Sequence, residues 1–118
     1  MKDKFVVDNY EGIPVVCTRS VWDEHVVLHH KVMEKNVDAV KDTIKDPDSV
    51  YQSKDYENRE VYFKASEFST YPMLTKVIVE DGISKAGNPK GEVVTAFNTK
   101  KEEGGIADVV YKRETDKL

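Results

Sequence analysis

Thr43-Ile44-Lys45-Asp46-Pro47-Asp48-Ser49-Val50-Tyr51-Gln52 is the stretch in which the chain changes its period, and that change decides the fold. Before it, Val37, Val40 and Ile44 recur at spacings of three and four, the pattern of a helix with one apolar face, and Asn36 stands as its N-cap. Pro47 disfavours helix in the residue before it, so the helix stops at Asp46. Beyond Pro47 the apolar residues alternate. Residues 50–52, 60–64, 74–79 and 92–97 then read as four successive strands. Strands that follow one another with no helix between them predict an antiparallel meander.

Upstream, the turn Glu11-Gly12-Ile13-Pro14 delivers a short strand over residues 15–18. Ser20 is placed as the N-cap of a first helix over about residues 21–35, with Asp23 three positions on in place of the usual capping-box glutamate. The expected architecture is therefore α+β, with N-terminal helices packed on a four-stranded antiparallel β-sheet. Residues 81–91 read as a turn-rich hairpin loop longer than geometry requires, 99–105 as a polar loop, and 106–111 as a last apolar segment before a charged tail.

The 118 residues suffice for one compact domain over 1–118, with a core from about 15 to 114, and not for two. A net charge of −4 gives no general support for a polyanionic partner, so a nucleic-acid role needs a local basic patch. Cys17 is the one cysteine; it excludes an internal disulfide and reads as a small buried apolar residue. No apolar run approaches the roughly 20 residues of a membrane span, and Met1-Lys2-Asp3-Lys4-Phe5 lacks the apolar segment of a signal peptide. The expectation is a soluble cytoplasmic protein without a membrane partner.

Chemistry concentrates in Val21-Trp22-Asp23-Glu24-His25-Val26-Val27-Leu28-His29-His30, where all three histidines fall within six residues. Histidine moves protons near neutral pH. On a helix burying Val21, Trp22, Val26 and Leu28, His25 would lie at the edge of the core, as a proton carrier or as a hydrogen-bonded core residue, and His29 one turn further on the same side. His25 and His29 have the spacing of two zinc ligands on one helix, but the intervening Val26, Val27 and Leu28 supply no glutamate, and no further histidine exists. No metal is expected. Gly82, Gly87 and Gly91 form no phosphate loop or dinucleotide fingerprint, so no cofactor is expected either.

The order of these signals resembles the prophage-borne branch of the barnase, EndoU, colicin and RelE-like (BECR) nucleases, small ribonuclease toxin domains. His25-Val26 and His30 keep the five-residue histidine spacing of that group, and Thr43 to Asp48 matches its Pro-Asp helix exit. Arg59 and Lys64 bracket the second strand; Val94-Thr95-Ala96-Phe97-Asn98-Thr99 matches the Thr-containing late strand, and Val109-Val110-Tyr111-Lys112-Arg113-Glu114 the end. The chain departs from the group at Lys31, where a proline usually follows the second histidine.

The resemblance implies metal-independent cleavage of RNA by attack of a 2′-hydroxyl on the adjacent phosphate, with RNA as substrate and a protein inhibitor as partner. Such a reaction needs a base, an acid and donors around the phosphate. His25 would be the general base or acid, with His30 the second histidine of the motif. Arg59 or Lys64 would steady the phosphate, Thr95 would donate to the same oxygen, and Tyr62 or Tyr111 would stack on a base or give a proton. Each also has a plain reading. Arg59 is a solvated loop charge, Lys64 an outer-face lysine, Thr95 a good strand former, and the tyrosines core or rim aromatics. The alternative function is a non-catalytic protein-binding module, favoured by the acidic balance and by Lys31.

Overall fold

In the computed structural model, which describes residues 3–66 and 73–113, a seven-stranded mixed sheet dominates the molecule. The strands are β1 (Asp3–Asp8), β2 (Pro14–Thr18), β3 (Ser49–Ser53), β4 (Arg59–Ala65), β5 (Leu74–Ile83), β6 (Pro89–Thr99) and β7 (Ile106–Lys112). Their order across the sheet is β1-β2-β6-β5-β4-β3-β7. All neighbours are antiparallel except β2 and β6, which run parallel over Val15–Gly91 and Val16–Glu92 alone.

The expected four-stranded antiparallel sheet beneath N-terminal helices is thus incorrect. The meander β3-β4-β5-β6 is extended by a β1-β2 hairpin on one side and by β7 on the other, and the helical part is short. Two causes are local. The residues up to Asp8, which received no element in the sequence reading, form a strand, and the last apolar segment pairs with β3 instead of trailing off. The long hairpin loop also shrinks, because β5 runs on to Ile83 and β6 begins at Pro89. Glu114, at the end of the resemblance, and the first two residues lie outside the described residues.

The predicted helix over 21–35 is broken into pieces: α1 (Arg19–Val21), a π-helical turn (Trp22–Val26), α2 (Val27–His29) and a 3₁₀ turn (Lys31–Lys35). Thr18, not Ser20, is the cap: its hydroxyl accepts from the Val21 N–H at 3.1 Å. His30 leaves the helical region at φ −138°, ψ 74° and so ends α2. The second helix, α3 (Val37–Lys45), is continuous, but Asn36 does not cap it; its side chain donates back to the Val32 carbonyl at 2.6 Å.

Cross-strand partners point to the same face, so the register sorts the two sides of the sheet. Val50, Tyr62, Val77 and Ala96 form one fully buried row beneath the helices. Trp22, Val26, Met33, Val40 and Ile44 close the core over it. α3 packs on β4, β5 and also β1, so the sheet curls around the helix.

The second row, Ser49, Phe63, Lys76 and Phe97, belongs to the outer face. It is covered by the 99–105 loop. The Lys76 ammonium donates to the carbonyls of Glu103 and Gly104 at 3.0 and 2.9 Å and lies against the rings of Phe63 and Phe97. The Glu102 carboxylate accepts from the hydroxyls of Ser49 at 2.7 Å and Tyr51 at 2.6 Å. Cys17 is fully buried and burial pushes its thiol up to about 12, which leaves it an inert core residue.

Candidate active site

The parallel pairing of β2 with β6 ends at Glu92, so from Val93 onward β6 has a strand partner on one side only, β5. The π-helical turn packs along this freed edge, held by buried Trp22 and Val26. A π turn carries one extra residue per turn, and such turns recur at functional sites. It also turns His25 outward: His25 and Leu28 are exposed, contrary to the stripe expected from a regular helix. The His25 and His29 rings meet edge to face at 5.3 Å.

His30, just beyond the helix end, is half-buried and stacks on Phe97 of β6 with ring centres 4.9 Å apart. Burial, and then the neighbouring His29 and His25, lower its proton affinity. Thr95 stands two residues before Phe97 on the same outer face, about 7 Å along the strand, opposite Ile78. The structure therefore brings together His30, Phe97 and Thr95, with His29 and His25 at the rim.

Arg59 shares that outer face, opposite Glu80, and strand spacing puts it about 12 Å from Thr95. Its guanidinium is paired with Glu80 at 3.1 Å and lies over the Tyr56 ring at 3.9 Å. Glu80 in turn faces Glu92 across β5 and β6, and Glu92 is paired with Lys90 at 3.2 Å, so the charges at this end of the outer face are matched.

The remaining sequence-derived residues are on the other side. Lys64 is five positions from Arg59, hence on the helix face, and its ammonium contacts Asp42 at 3.1 Å and Asp46 at 3.3 Å. Burial lowers its proton affinity, but the bonds to the two aspartates outweigh this and raise it. Tyr62 is fully buried with its hydroxyl accepting from Asn9 at 3.0 Å. Tyr111 is half-buried and packs on Tyr10 at 4.5 Å.

That face holds a group the sequence reading passed over. Glu60 shares the side of Tyr62, and Asp81 that of Val79, so the two carboxyls are diagonal neighbours and hydrogen-bond to each other. Burial first, then the Asp81 charge and that hydrogen bond, push Glu60 up to about 7; burial raises Asp81 as well. The available signal was the alternation Glu60-Val61-Tyr62-Phe63-Lys64, which puts Glu60 on one side with Tyr62 and Lys64. Among the described residues no cluster of three or more histidine, cysteine or carboxylate side chains is arranged to hold a metal ion, and no helix is long and apolar enough to cross a membrane.

Compared with protein-family models, curated proteins and solved structures, the chain matches none.

Proposed function

We propose that the chain is a metal-independent ribonuclease whose proton chemistry is centred on His30. The observation that supports this reading most is the contact of His30 with Phe97 beside Thr95, where burial and two neighbouring histidines favour the neutral imidazole. A neutral imidazole is the form that accepts a proton. In the proposed reaction His30 takes the 2′-hydroxyl proton as that oxygen bonds to phosphorus. The bond from phosphorus to the 5′-oxygen then breaks, and His29 or His25 supplies the proton the 5′-oxygen needs. The products are a 2′,3′-cyclic phosphate and a free 5′-hydroxyl. Thr95 donates a hydrogen bond to the phosphate, and Phe97 offers an aromatic face next to the imidazole.

The resemblance to BECR nucleases supports the activity through His25, His30, Arg59 and Thr95, not through the architecture. On this reading the site of action is the cytoplasm, where RNA is the substrate and a protein inhibitor the expected partner. The alternative, a protein-binding module, is favoured by the net charge of −4, which suits a basic protein better than RNA.

The test is cleavage of a mixed-sequence labelled RNA in the presence of a chelator by the parent and by His30→Ala. The variant should lose on the order of 100-fold or more in rate, the range for a lost acid or base, with an unchanged near-UV circular dichroism spectrum. Cleavage by His30→Ala at the parental rate would remove the assignment. A parent that cleaves nothing would shift the reading to the binding module.

A further inference from the structure

The helix face carries a second polar site, at the opposite end of β4 from Glu60. Between α3 and the paired ends of β4 and β5 lies a cavity of about 490 Å³, within the range of small-molecule sites. Thr75 lines it, is only 1% exposed, and its hydroxyl has no hydrogen-bond partner among the described residues. The Ser66 hydroxyl, also on the lining, and the Asn98 side-chain carbonyl, opposite Thr75 on β6, are likewise without partners there. A buried polar atom left unpaired is costly, so three gathered in one place point to a group that satisfies them.

The lining also tells what that group is. Lys41 and Lys45, one turn apart on α3, line the cavity beside Asp38 and have no salt bridge to a described residue, while Lys64 is already held by Asp42 and Asp46. Lysine is a point-charge binder of phosphate. Among the described residues the lining is polar or charged apart from Ala39 and Ala65. Hydroxyl and amide groups match the hydroxyls of a sugar.

We infer that this cavity binds a phosphorylated sugar, with the phosphate at Lys41 and Lys45 and the sugar hydroxyls at Thr75 and Ser66. Such a unit comes either as a free sugar phosphate or as the ribose phosphate of a nucleotide chain. The inference is independent of the ribonuclease reading, since the cavity contains none of the histidines.

Titrating the isotope-labelled protein with ribose 5-phosphate, ribose, inorganic phosphate and a short RNA with free 2′-hydroxyls, followed by amide NMR shifts, tests it. Ribose 5-phosphate should shift Ser66, Thr75 and α3 more strongly than ribose or phosphate alone. Thr75→Val, close in shape and compatible with a strand, should weaken binding about tenfold through loss of one hydrogen bond. Lys45→Ala, on the exposed helix surface, should weaken it and reduce its salt dependence. Binding of the free sugar phosphate identifies the first source; binding of the RNA alone, equally sensitive to Thr75→Val, identifies the second. Binding of neither probe, or binding that ignores both substitutions, overturns the inference.

Discussion

Replacing Glu60 with glutamine should remove a pH dependence of stability that the folded chain owes to one closely spaced carboxyl pair. Glu60 is half-buried on the helix face, hydrogen-bonded to Asp81, with Glu11 of the β1-β2 turn adding a further negative charge nearby. Together these push it from an ordinary 4.5 to about 7. A group that binds its proton more tightly in the folded state favours folding while it stays protonated. Its stabilisation is therefore complete below about pH 4.5 and is lost as pH rises through about 7. The full shift would correspond to about 3 kcal/mol, and partial exposure to solvent screens it to about 1–2 kcal/mol.

Urea unfolding at about pH 5 and about pH 8 reads this directly. The parent should lose about 1–2 kcal/mol more across that interval than Glu60→Gln. Comparing parent with variant matters because His30 acts in the opposite sense. Its folded proton affinity is lowered, so its contribution is present above the ordinary histidine range and lost as pH falls. Identical pH dependence in the two proteins would refute the argument, and would mean that Glu60 is solvated well enough to ionise at its ordinary pH.

Two further substitutions test the packing that positions the sites. A Cβ on Gly91 would come within 2.7 Å of Val79 Cγ1 and 3.2 Å of Val15 Cγ2, so Gly91→Ala should destabilise by about 1–3 kcal/mol in the same urea assay, and an unchanged midpoint would show that β2 and β6 can part without penalty. Lys76→Met keeps the stem between Phe63 and Phe97 but removes both donors to the 99–105 loop, so hydrogen exchange at residues 101–105 should quicken while the exchange of Val77 stays slow; unchanged exchange in the loop would show that Glu102 alone holds it.

What the sequence made legible was whatever depends on a local period. The helix over Val37–Lys45 and strands β3 to β6 follow from spacings of three and four, or of two, within single segments. What it hid was pairing at a distance. Nothing in Val15-Val16 says that it will run parallel to Gly91-Glu92, and nothing in Ile106 to Lys112 says that it will lie antiparallel to β3. The π turn was hidden for another reason. One extra residue per turn moves every later side chain around the helix, so a regular wheel put Leu28 in the core and His25 at its edge when both are exposed. For the site, the wheel found the histidines but gave no sign of the contact of His30 with Phe97, 67 positions away.

The position of the candidate active site follows from how short the parallel pairing is. If β2 had stayed beside β6 to its end, Val93 to Thr99 would be an interior strand with no room for a helix alongside. Only two residue pairs join these strands, and Thr18 turns the chain into α1 immediately after β2. The helical segment then takes the place that strand would have had, with Trp22 and Val26 supplying the apolar contact. It must also end near Phe97, because the 3₁₀ turn and α3 have to cross back over the sheet to bury Met33, Val40 and Ile44. His30 sits at that break, with its ring on β6 and its backbone already turning away. The half-buried His30 ring thus stays at the surface, at a helix break and on the same outer face as Phe97 and Thr95.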